Sequence, residues 1–274
     1  MGMKKITLYK SSLLCLFSLM IFSLPLTYAN ALGGKKPTPT KSAISPKDHT
    51  VKTLPEGSKL ALTPQSSFYK TYITWRDKLT LDPQVWDKVF LFLDKNHEKL
   101  DPKEVCLATD NKSNREKIRN LNCLVIVDYT KSKMEKRLHL VDLKDNKVHS
   151  VYTAHGKGSN IDGNEIDLTA SRFSNTSGSL QTSLGFYLSA EPYNSYKDTF
   201  GPGPQNGIKL DGISCTNNNA RKRYIVMHTA KYVPEEVTDE KSIGYSEGCI
   251  TFTSAQKSLM HKCMHGALVY AHGN

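Results

Sequence analysis

A cysteine and a histidine near the carboxyl end of the sequence have the side chains that acyl transfer needs. Cys249 lies between the turn-forming residues 244–248 and the β-branched and aromatic run 250–252. His228 follows the apolar run 224–227. A thiol and an imidazole at the ends of neighbouring strands are close enough for a nucleophile with a proton-transferring partner. On spacing alone, a disulfide-bonded Cys249 and a structural His228 are equally compatible with the sequence.

A serine motif overlaps the same stretch. Gly244-Tyr245-Ser246-Glu247-Gly248 matches G-x-S-x-G, the nucleophile elbow of α/β-hydrolases. That elbow needs a strand before it and an acid and a histidine after it. The preceding residues 234–241 are charged, and no Asp or Glu follows Glu247 in the sequence. The order of residues therefore disfavours a serine hydrolase.

The sequence also contains a possible metal motif. His261, Cys263 and His265 form H-x-C-x-H, which would place three ligands on one face of a strand. This is not a spacing typical of zinc sites, and cysteines of exported proteins tend to oxidise. We therefore expect no metal site and no cofactor.

Residues 1–31 have the pattern of a secretory signal peptide. Three lysines precede an apolar run over residues 11–26, and Ala29 and Ala31 are the small residues that a signal peptidase reads. Residues 32–65 are rich in Pro, Gly, Thr, Ser and Lys, which predicts a flexible tether. Cleavage near Leu32 would lower the net charge from +11 to about +8, which favours an anionic envelope surface as a partner. Export argues against nucleic acid.

Five cysteines lie beyond the predicted signal peptide, so at least one lacks an intramolecular partner. We expect Cys249 to be the free thiol. Cys106 and Cys123 flank a polar segment, and we expect them to be bridged, joining the helical part to the first strand. Cys215 and Cys263 would form the second bridge. The sequence does not determine this pairing, because four cysteines allow three connectivities.

Residues 66–120 are expected to form a small helical segment. Asp82 and Pro83 supply a helix cap and a first-turn proline. Apolar residues then recur at helical spacing, which predicts an amphipathic helix that ends near His97. The aromatic residues of this segment are expected to face the core rather than a ligand.

From residue 121 the apolar residues no longer recur at helical spacing but in short runs and alternation typical of strands. Residues 121–274 are therefore predicted to form a mainly β domain. Residues 144–147 predict a hairpin turn, and the long loop 156–179 has no periodic segment, as is typical of a loop at a functional site. Many short strands separated by turn residues predict a β-sandwich or barrel. The predicted strands are residues 124–127, 138–143, 148–152, 184–188, 207–210, 224–227, 250–252 and 266–270.

The order of motifs in this domain resembles that of the murein L,D-transpeptidase catalytic domain family, the YkuD-like fold, and most of all its second subfamily. The resemblance covers about 150 residues and is therefore more specific than any single motif. The motifs are residues 124–128, 137–143, 154–159, 173–175, 183–187, 210–212, 219–220 with 223–228, and 244–249.

The resemblance implies roles for particular residues. His228 would take the proton of Cys249, and the backbone carbonyl of Thr229 would orient the imidazole. Backbone N–H groups around Gly248 and Cys249 would stabilise the oxyanion. The remaining positions that match the family and are expected to line the groove are His155, Asn175, Tyr187 and Ser246. For His155, Asn175 and Tyr187, a structural role agrees equally well with the sequence.

The sequence departs from the family pattern at three positions. The usual His-Gly is His228-Thr229 here. The arginine that commonly follows the cysteine by one or two residues is absent, since Ile250 and Thr251 stand there, and Ile250 also replaces the proline of the second subfamily. These changes keep the nucleophile and base and leave open which group holds the substrate carboxylate.

The resemblance implies an exported cysteine acyl transferase of the periplasm or cell envelope that acts on peptidoglycan stem peptides and releases a terminal D-alanine. Two alternatives share the fold. One is an L,D-carboxypeptidase, in which water resolves the thioester, and the other is a cell-wall-binding module without catalysis.

Overall fold

Two helices precede the sheet in the computed structural model, which describes residues 62–108, 116–160, 168–197, 199–238 and 242–274. Helix α1 spans Tyr69–Trp75 and helix α2 spans Pro83–Asn96. The Asp82 carboxylate accepts a hydrogen bond from Gln84 N (2.8 Å), and Pro83 occupies the first turn, where its missing N–H costs nothing. The cap and the end of the helix near His97 confirm the sequence prediction.

The predicted signal peptide and all but the last four residues of the predicted tether lie outside the described residues. Among the described helices, none combines the length and the apolarity that a membrane span requires.

Within the described residues, eight strands form one sheet that is nearly closed and barrel-like, so the prediction of a mainly β fold is confirmed. The order of the strands is β3-β2-β1-β8-β4-β5-β6-β7. Two adjacent pairs are parallel, β1 with β8 and β6 with β7, and the others are antiparallel. The strands are β1 (Cys123–Asp128), β2 (Leu138–Asp142), β3 (Lys147–Val151), β4 (Gly185–Tyr193), β5 (Gly207–Gly212), β6 (Val226–Thr229), β7 (Ile250–Phe252) and β8 (Leu268–His272).

Alternate side chains of the central strands pack into two cores, because successive residues of a strand point to opposite faces. Leu124 and Ile126 of β1 pack with the helices, where Phe92 of α2 stacks on Phe186 of β4 at a centroid distance of 3.9 Å. Val125 and Val127 belong to the second core, on the opposite face of the sheet. The strands around β1 are therefore covered on both faces.

The predicted hairpin at residues 144–147 joins β2 to β3, and Asp142 pairs with Lys147 across it. Asn146 has a φ of 53°, a left-handed conformation that asparagine tolerates in turns. A six-residue helix that the sequence pattern did not reveal, α3 (Lys257–Lys262), lies between β7 and β8. Single 3₁₀ turns occupy Lys157–Ser159 and Ser254–Gln256.

The predicted disulfide pairing is wrong. Cys106 is bridged to Cys215 and Cys123 to Cys263, with Cα–Cα distances of 4.8 and 5.1 Å. Both bridges join segments that are more than a hundred residues apart in the chain. The prediction that Cys249 is a free thiol is confirmed.

Tertiary contacts explain this pairing. Cys106 N donates to Ile213 O (2.8 Å), which brings the segment after α2 against the end of β5. Asn120 Nδ2 donates to Lys262 O (2.8 Å) and Met264 O (2.6 Å), so the start of β1 lies beside the end of α3. The partner of each cysteine is thus set by the sheet topology and not by proximity in the sequence.

Candidate active site

The parallel pairing of β6 with β7 brings His228 and Cys249 to one region of the sheet. Met227 pairs with Ile250 and His228 with Thr251, and Cys249 immediately precedes β7. Met227 and Ile250 point into the second core, which also contains Val125 and Val127. Since side chains alternate along a strand, His228 and Thr251 share the opposite face, and the same alternation directs Cys249 toward that face.

The turn before β7 is closed by the hydroxyl of Ser246. Ser246 Oγ donates to Cys249 O (2.9 Å) and accepts a hydrogen bond from Gly248 N (3.1 Å). Ser246 is buried, and the segment after it is a strand rather than the helix of a nucleophile elbow. Its hydroxyl holds the backbone of the turn that presents Cys249.

Gly248 meets a steric requirement of the same turn. Its φ is +109°, a conformation that side chains with a Cβ rarely adopt. A Cβ at this position would lie 2.6 Å from Gln181 O. The N–H of Gly248 donates to Ser246 Oγ, so in this structure the amide expected to contribute to the oxyanion hole is bonded within the turn.

The imidazole of His228 is held by a hydrogen bond and a stacked ring. Nδ1 lies 2.8 Å from Thr229 O, and because a carbonyl oxygen only accepts, Nδ1 carries the proton. Nε2 of the neutral ring is then unprotonated and able to accept a proton. Phe200 stacks on the imidazole with a centroid distance of 3.7 Å and an interplanar angle of 11°.

Burial lowers the pKa of His228 to about 4, against the opposing effect of the hydrogen bond to Thr229, while the nearby Lys197 ammonium lowers it further. The imidazole is therefore neutral at pH 7. Neutral imidazole is the form that a general base requires.

The Cys249 side chain is half-buried, and its Sγ–H contacts Tyr224 O at 3.9 Å. Burial raises the pKa of the thiol to about 11. Three groups lower the pKa of the thiol: a hydrogen bond from the Val226 backbone and the positive charges of Arg223 and Lys197. The Glu247 carboxylate raises it further. The resting pair is consequently a thiol and a neutral imidazole.

Both side chains line a cavity of about 480 Å³, a volume within the range of small-molecule sites. The two ends of the long loop 156–179 contribute Lys157 and Gly178 to the wall of the cavity. This agrees with the expectation that the loop lies at a functional site. The lining residues are Lys157, Gly178, Leu180, Tyr193, Lys197, Thr199, Phe200, Arg223, Tyr224, Ile225, Val226, His228, Tyr232, Tyr245, Ser246, Glu247 and Cys249.

His155 lies behind the cysteine turn and outside the cavity wall. Its backbone carbonyl accepts from Ser246 N (2.9 Å). Arg137 Nη2 donates to Nδ1 (2.9 Å), so Nε2 carries the proton and donates to Asn160 Oδ1 (2.7 Å). Tyr245 of the turn packs edge-on against His155 (5.3 Å between centroids) and under the Lys133 ammonium (3.7 Å). His155 thus supports the turn.

The structure also places Asn175 and Tyr187 outside the cavity wall. Asn175 Nδ2 donates to Asn218 Oδ1 (2.7 Å) and Asn175 Oδ1 accepts from Asn219 N (3.1 Å), joining two loops. The Tyr187 hydroxyl is buried and donates to Ser183 O (2.6 Å). Of the four residues predicted to line the groove, only Ser246 lines this cavity.

Several cavity residues were not singled out from the sequence, and three of them matter for the site. Phe200 and Lys197 lie in the irregular connection between β4 and β5, and Arg223 precedes β6. The sequence signal for Phe200 was an aromatic residue in a glycine- and proline-rich loop, Phe200-Gly201-Pro202-Gly203. Arg223 lies in the motif that ends at His228, but the sequence predicted no role for it.

The residues of the possible metal motif have other partners. Cys263 is bonded to Cys123, which removes the thiolate that a metal would need. His261 Nε2 lies 2.8 Å from Gln205 O. No cluster of three or more His, Cys, Asp or Glu side chains suited to a metal occurs within the described ranges.

Comparisons with known proteins agree with these features. The family model of the L,D-transpeptidase catalytic domain (YkuD_2) matches residues 96–272, more than half of the chain. No curated protein matches the chain.

Solved structures to which the chain is similar include two L,D-transpeptidases and a cell-shape protein. The L,D-transpeptidase from Mycobacterium smegmatis is 10% identical (TM-score 0.31, 56% of this chain and 59% of that one). The enzyme from Mycobacterium tuberculosis is 12% identical (TM-score 0.28, 56% and 58%). The helical cell shape determining protein Pgp2 from Campylobacter jejuni is 16% identical (TM-score 0.32, 56% and 48%). The matches span about half of the length of these structures.

Proposed function

Because the chain belongs to the L,D-transpeptidase catalytic domain family, we propose that it is a cysteine acyl transferase that acts on peptidoglycan stem peptides. The observation that carries this proposal is the shared cavity of Cys249 and His228, in which Nδ1 of His228 is bound to Thr229 O. A free thiol and an imidazole with an unprotonated Nε2 are the two groups that nucleophilic acyl transfer requires.

Acylation starts from the neutral pair. Nε2 of His228 takes the proton of the Cys249 thiol as Sγ attacks the peptide carbonyl that precedes the terminal D-alanine of the donor stem. The C–N bond of the tetrahedral intermediate then breaks, and the leaving amine takes the proton from Nε2. D-Alanine departs and a thioester remains on Cys249. The thioester keeps the energy of the cleaved peptide bond available for a second transfer.

Deacylation follows the same path in reverse. The side-chain amine of a second stem peptide gives a proton to Nε2 and attacks the thioester carbonyl. The C–S bond breaks, and Sγ regains the proton, which yields a cross-link. Water in place of the amine would give the L,D-carboxypeptidase reaction, and the acceptor is therefore what separates these two activities.

The electrostatics of the site favour transfer that is coupled to attack. With a thiol pKa of about 11 and an imidazole pKa of about 4, the pair rests uncharged in the absence of substrate. Proton transfer to Nε2 during attack avoids the cost of a buried ion pair at rest. The thiol contact with Tyr224 O must break before this transfer, since the proton has to turn toward Nε2.

A wall-binding module without catalysis is the alternative from a different class. Such a module has no need for a free cysteine or for an orienting hydrogen bond on a buried histidine. Both features are present here, and they favour catalysis. In our proposal the predicted signal peptide, residues 1–31, directs the protein to the periplasm or cell envelope, where its substrate is located.

Incubation of the purified protein with disaccharide tetrapeptides, analysed by mass spectrometry, tests the proposal. We expect released D-alanine together with cross-linked dimer or with tripeptide product. The Cys249→Ala variant should form neither product. Ser246→Ala separates this proposal from a serine nucleophile, because the variant keeps the thiol and should still form a covalent carbapenem adduct on Cys249. Unchanged turnover in Cys249→Ala would end the proposal.

A further inference from the structure

The wall of the cavity carries an excess of positive charge. In the described part of the chain, its cationic side chains are Lys157, Lys197 and Arg223, and its only carboxylate is that of Glu247. A concave site with surplus positive charge attracts anionic ligands. The partners of each cation show which of them remains available to a substrate.

Arg223 is occupied by the protein itself. Its Nη1 donates to Ser174 O (2.7 Å) and to the hydroxyl of Ser183, and its Nη2 donates to Ser179 Oγ (3.2 Å) and Gln181 O (2.7 Å). These four bonds use all the hydrogens of the two terminal nitrogens. Arg223 therefore fixes the loop that forms one side of the cavity.

Lys157 is also paired. Its Nζ lies 3.5 Å from Glu247 Oε1, and both side chains line the cavity. This ion pair cancels one positive charge with the one carboxylate that the described residues contribute to the wall. A substrate carboxylate at Lys157 would have to compete with Glu247 for the ammonium.

Lys197 differs from the other two cations. Its side chain is exposed, and among the residues that the structure describes no acceptor contacts Nζ. Its backbone is held, since Lys197 O accepts from Phe200 N (3.0 Å) and Lys197 N donates to Ser195 Oγ (3.3 Å). The same turn presents Phe200, which stacks on His228, so the turn connects Lys197 to the proposed base.

We propose that Lys197 binds the terminal carboxylate of the donor peptide, on the residue that leaves during acylation. This inference rests on the proposed function. Standard bond lengths place that carboxylate carbon within about 4 Å of the carbonyl carbon that Cys249 attacks. Lys197 lines the same cavity as Cys249 and His228, so its ammonium belongs to the wall of the space into which this carboxylate must project.

The proposal predicts a selective effect on one half-reaction. The carboxylate leaves with the released D-amino acid, so Lys197 acts in acylation and not in the attack of the acceptor on the thioester. A donor with a C-terminal carboxamide lacks the charge that Lys197 recognises. The variant and the substrate change should therefore remove the same interaction.

The test measures kcat/KM for acylation with a carboxylate donor and with the matching carboxamide donor. In Lys197→Gln we expect kcat/KM for the carboxylate donor to fall by about 10- to 100-fold, the value of a charge-assisted hydrogen bond. The carboxamide donor should react with Lys197→Gln and with the parent protein at similar rates. Lys197→Arg keeps the charge and should retain most of the preference for the carboxylate.

Lys231→Gln is the matched control, because it removes the same charge from an exposed lysine that is not part of the cavity wall. It should leave the preference unchanged. Equal losses on both donors in Lys197→Gln, or an unaltered preference, would overturn the inference. Either result would leave Cys249-dependent release of D-alanine intact, whereas loss of that dependence would refute the proposed function itself.

Discussion

His155 and His228 are both buried beside the cysteine turn, yet their ring nitrogens have different partners. In His155 both nitrogens are hydrogen bonded to side chains, Nδ1 to Arg137 and Nε2 to Asn160. In His228 Nδ1 is bound to the backbone of Thr229, and no described residue forms a hydrogen bond with Nε2. His228 lines the cavity and His155 does not.

This difference separates a structural histidine from a candidate base. A ring whose two nitrogens are already bonded has no position left for the proton of a thiol. A ring with one orienting bond keeps its second nitrogen for chemistry. From the sequence, His228 was expected to be the base and His155 to line the groove. The contacts of their rings keep His228 at the cavity and show that His155 supports the cysteine turn instead.

The His228→Gln variant should show the largest loss of activity. Loss of the general base should lower kcat for D-alanine release by about 10²- to 10⁴-fold, because proton transfer in the transition state typically contributes this much. Glutamine keeps a polar side chain of similar reach, so the fold should persist by circular dichroism. If turnover in this variant stays within a factor of two of the parent value, His228 is not the base.

His155→Leu should affect stability more than chemistry. It removes the buried hydrogen bonds that His155 makes with Arg137 Nη2 and with Asn160 Oδ1, and each lost bond costs about 1–3 kcal/mol. Urea unfolding should show a lower midpoint with an unchanged slope. The folded fraction should retain more activity than His228→Gln does. A reversed ranking of the two variants in activity would exchange the roles assigned here.

A smaller effect is expected for Phe200→Leu. Removing the stacked ring loosens the orientation of His228, and aromatic pairs contribute about 0.5–1.5 kcal/mol beyond the burial of area. The expected loss in kcat is therefore about 2- to 10-fold, with KM nearly unchanged. Phe200→Tyr, which keeps the ring, serves as the control. A change confined to KM would mean that Phe200 contacts substrate instead of positioning the base.

The smallest expected effect is a displaced acid limb in the pH–rate profile. The base must be neutral to act, and burial lowers its pKa to about 4, so kcat/KM should stay level as the pH falls from 7 to 5 and halve near 4. An exposed histidine would halve the rate near pH 6.5. In Phe200→Leu the pH at which kcat/KM is halved should rise, because water then reaches the imidazole of His228. A limb near 6.5 in the parent protein would contradict the buried, neutral state of His228.

Local chemistry made parts of the fold predictable. The Asp82 cap, Pro83 and the spacing of the apolar residues suffice to place α2, and the turn at residues 144–147 suffices to join β2 to β3. These elements depend on neighbours within a few residues. The odd number of cysteines similarly indicated a free thiol, and Cys249 is that thiol.

Features that depend on distant neighbours were not predictable. The bridges Cys106–Cys215 and Cys123–Cys263 follow from the sheet order, which a single sequence does not show. The short helix α3 is held between β7 and β8 and has too few residues for a periodic signal. Lys197 and Phe200 lie in the irregular connection between β4 and β5. A segment without regular secondary structure has no repeating apolar pattern from which the residues that face a cavity could be identified.

The position of β8 has a consequence for how the chain is assembled during its synthesis. β8 lies between β1 and β4, so the final strand in the sequence joins the two halves of the sheet. At about 5–20 residues per second, the 140 residues that separate Cys123 from Cys263 take roughly 7–28 s to synthesise. Throughout that interval one edge of β1 lacks the strand that covers it. An unpaired strand edge is a site of aggregation, and a chain that stops before Leu268 keeps this edge open permanently.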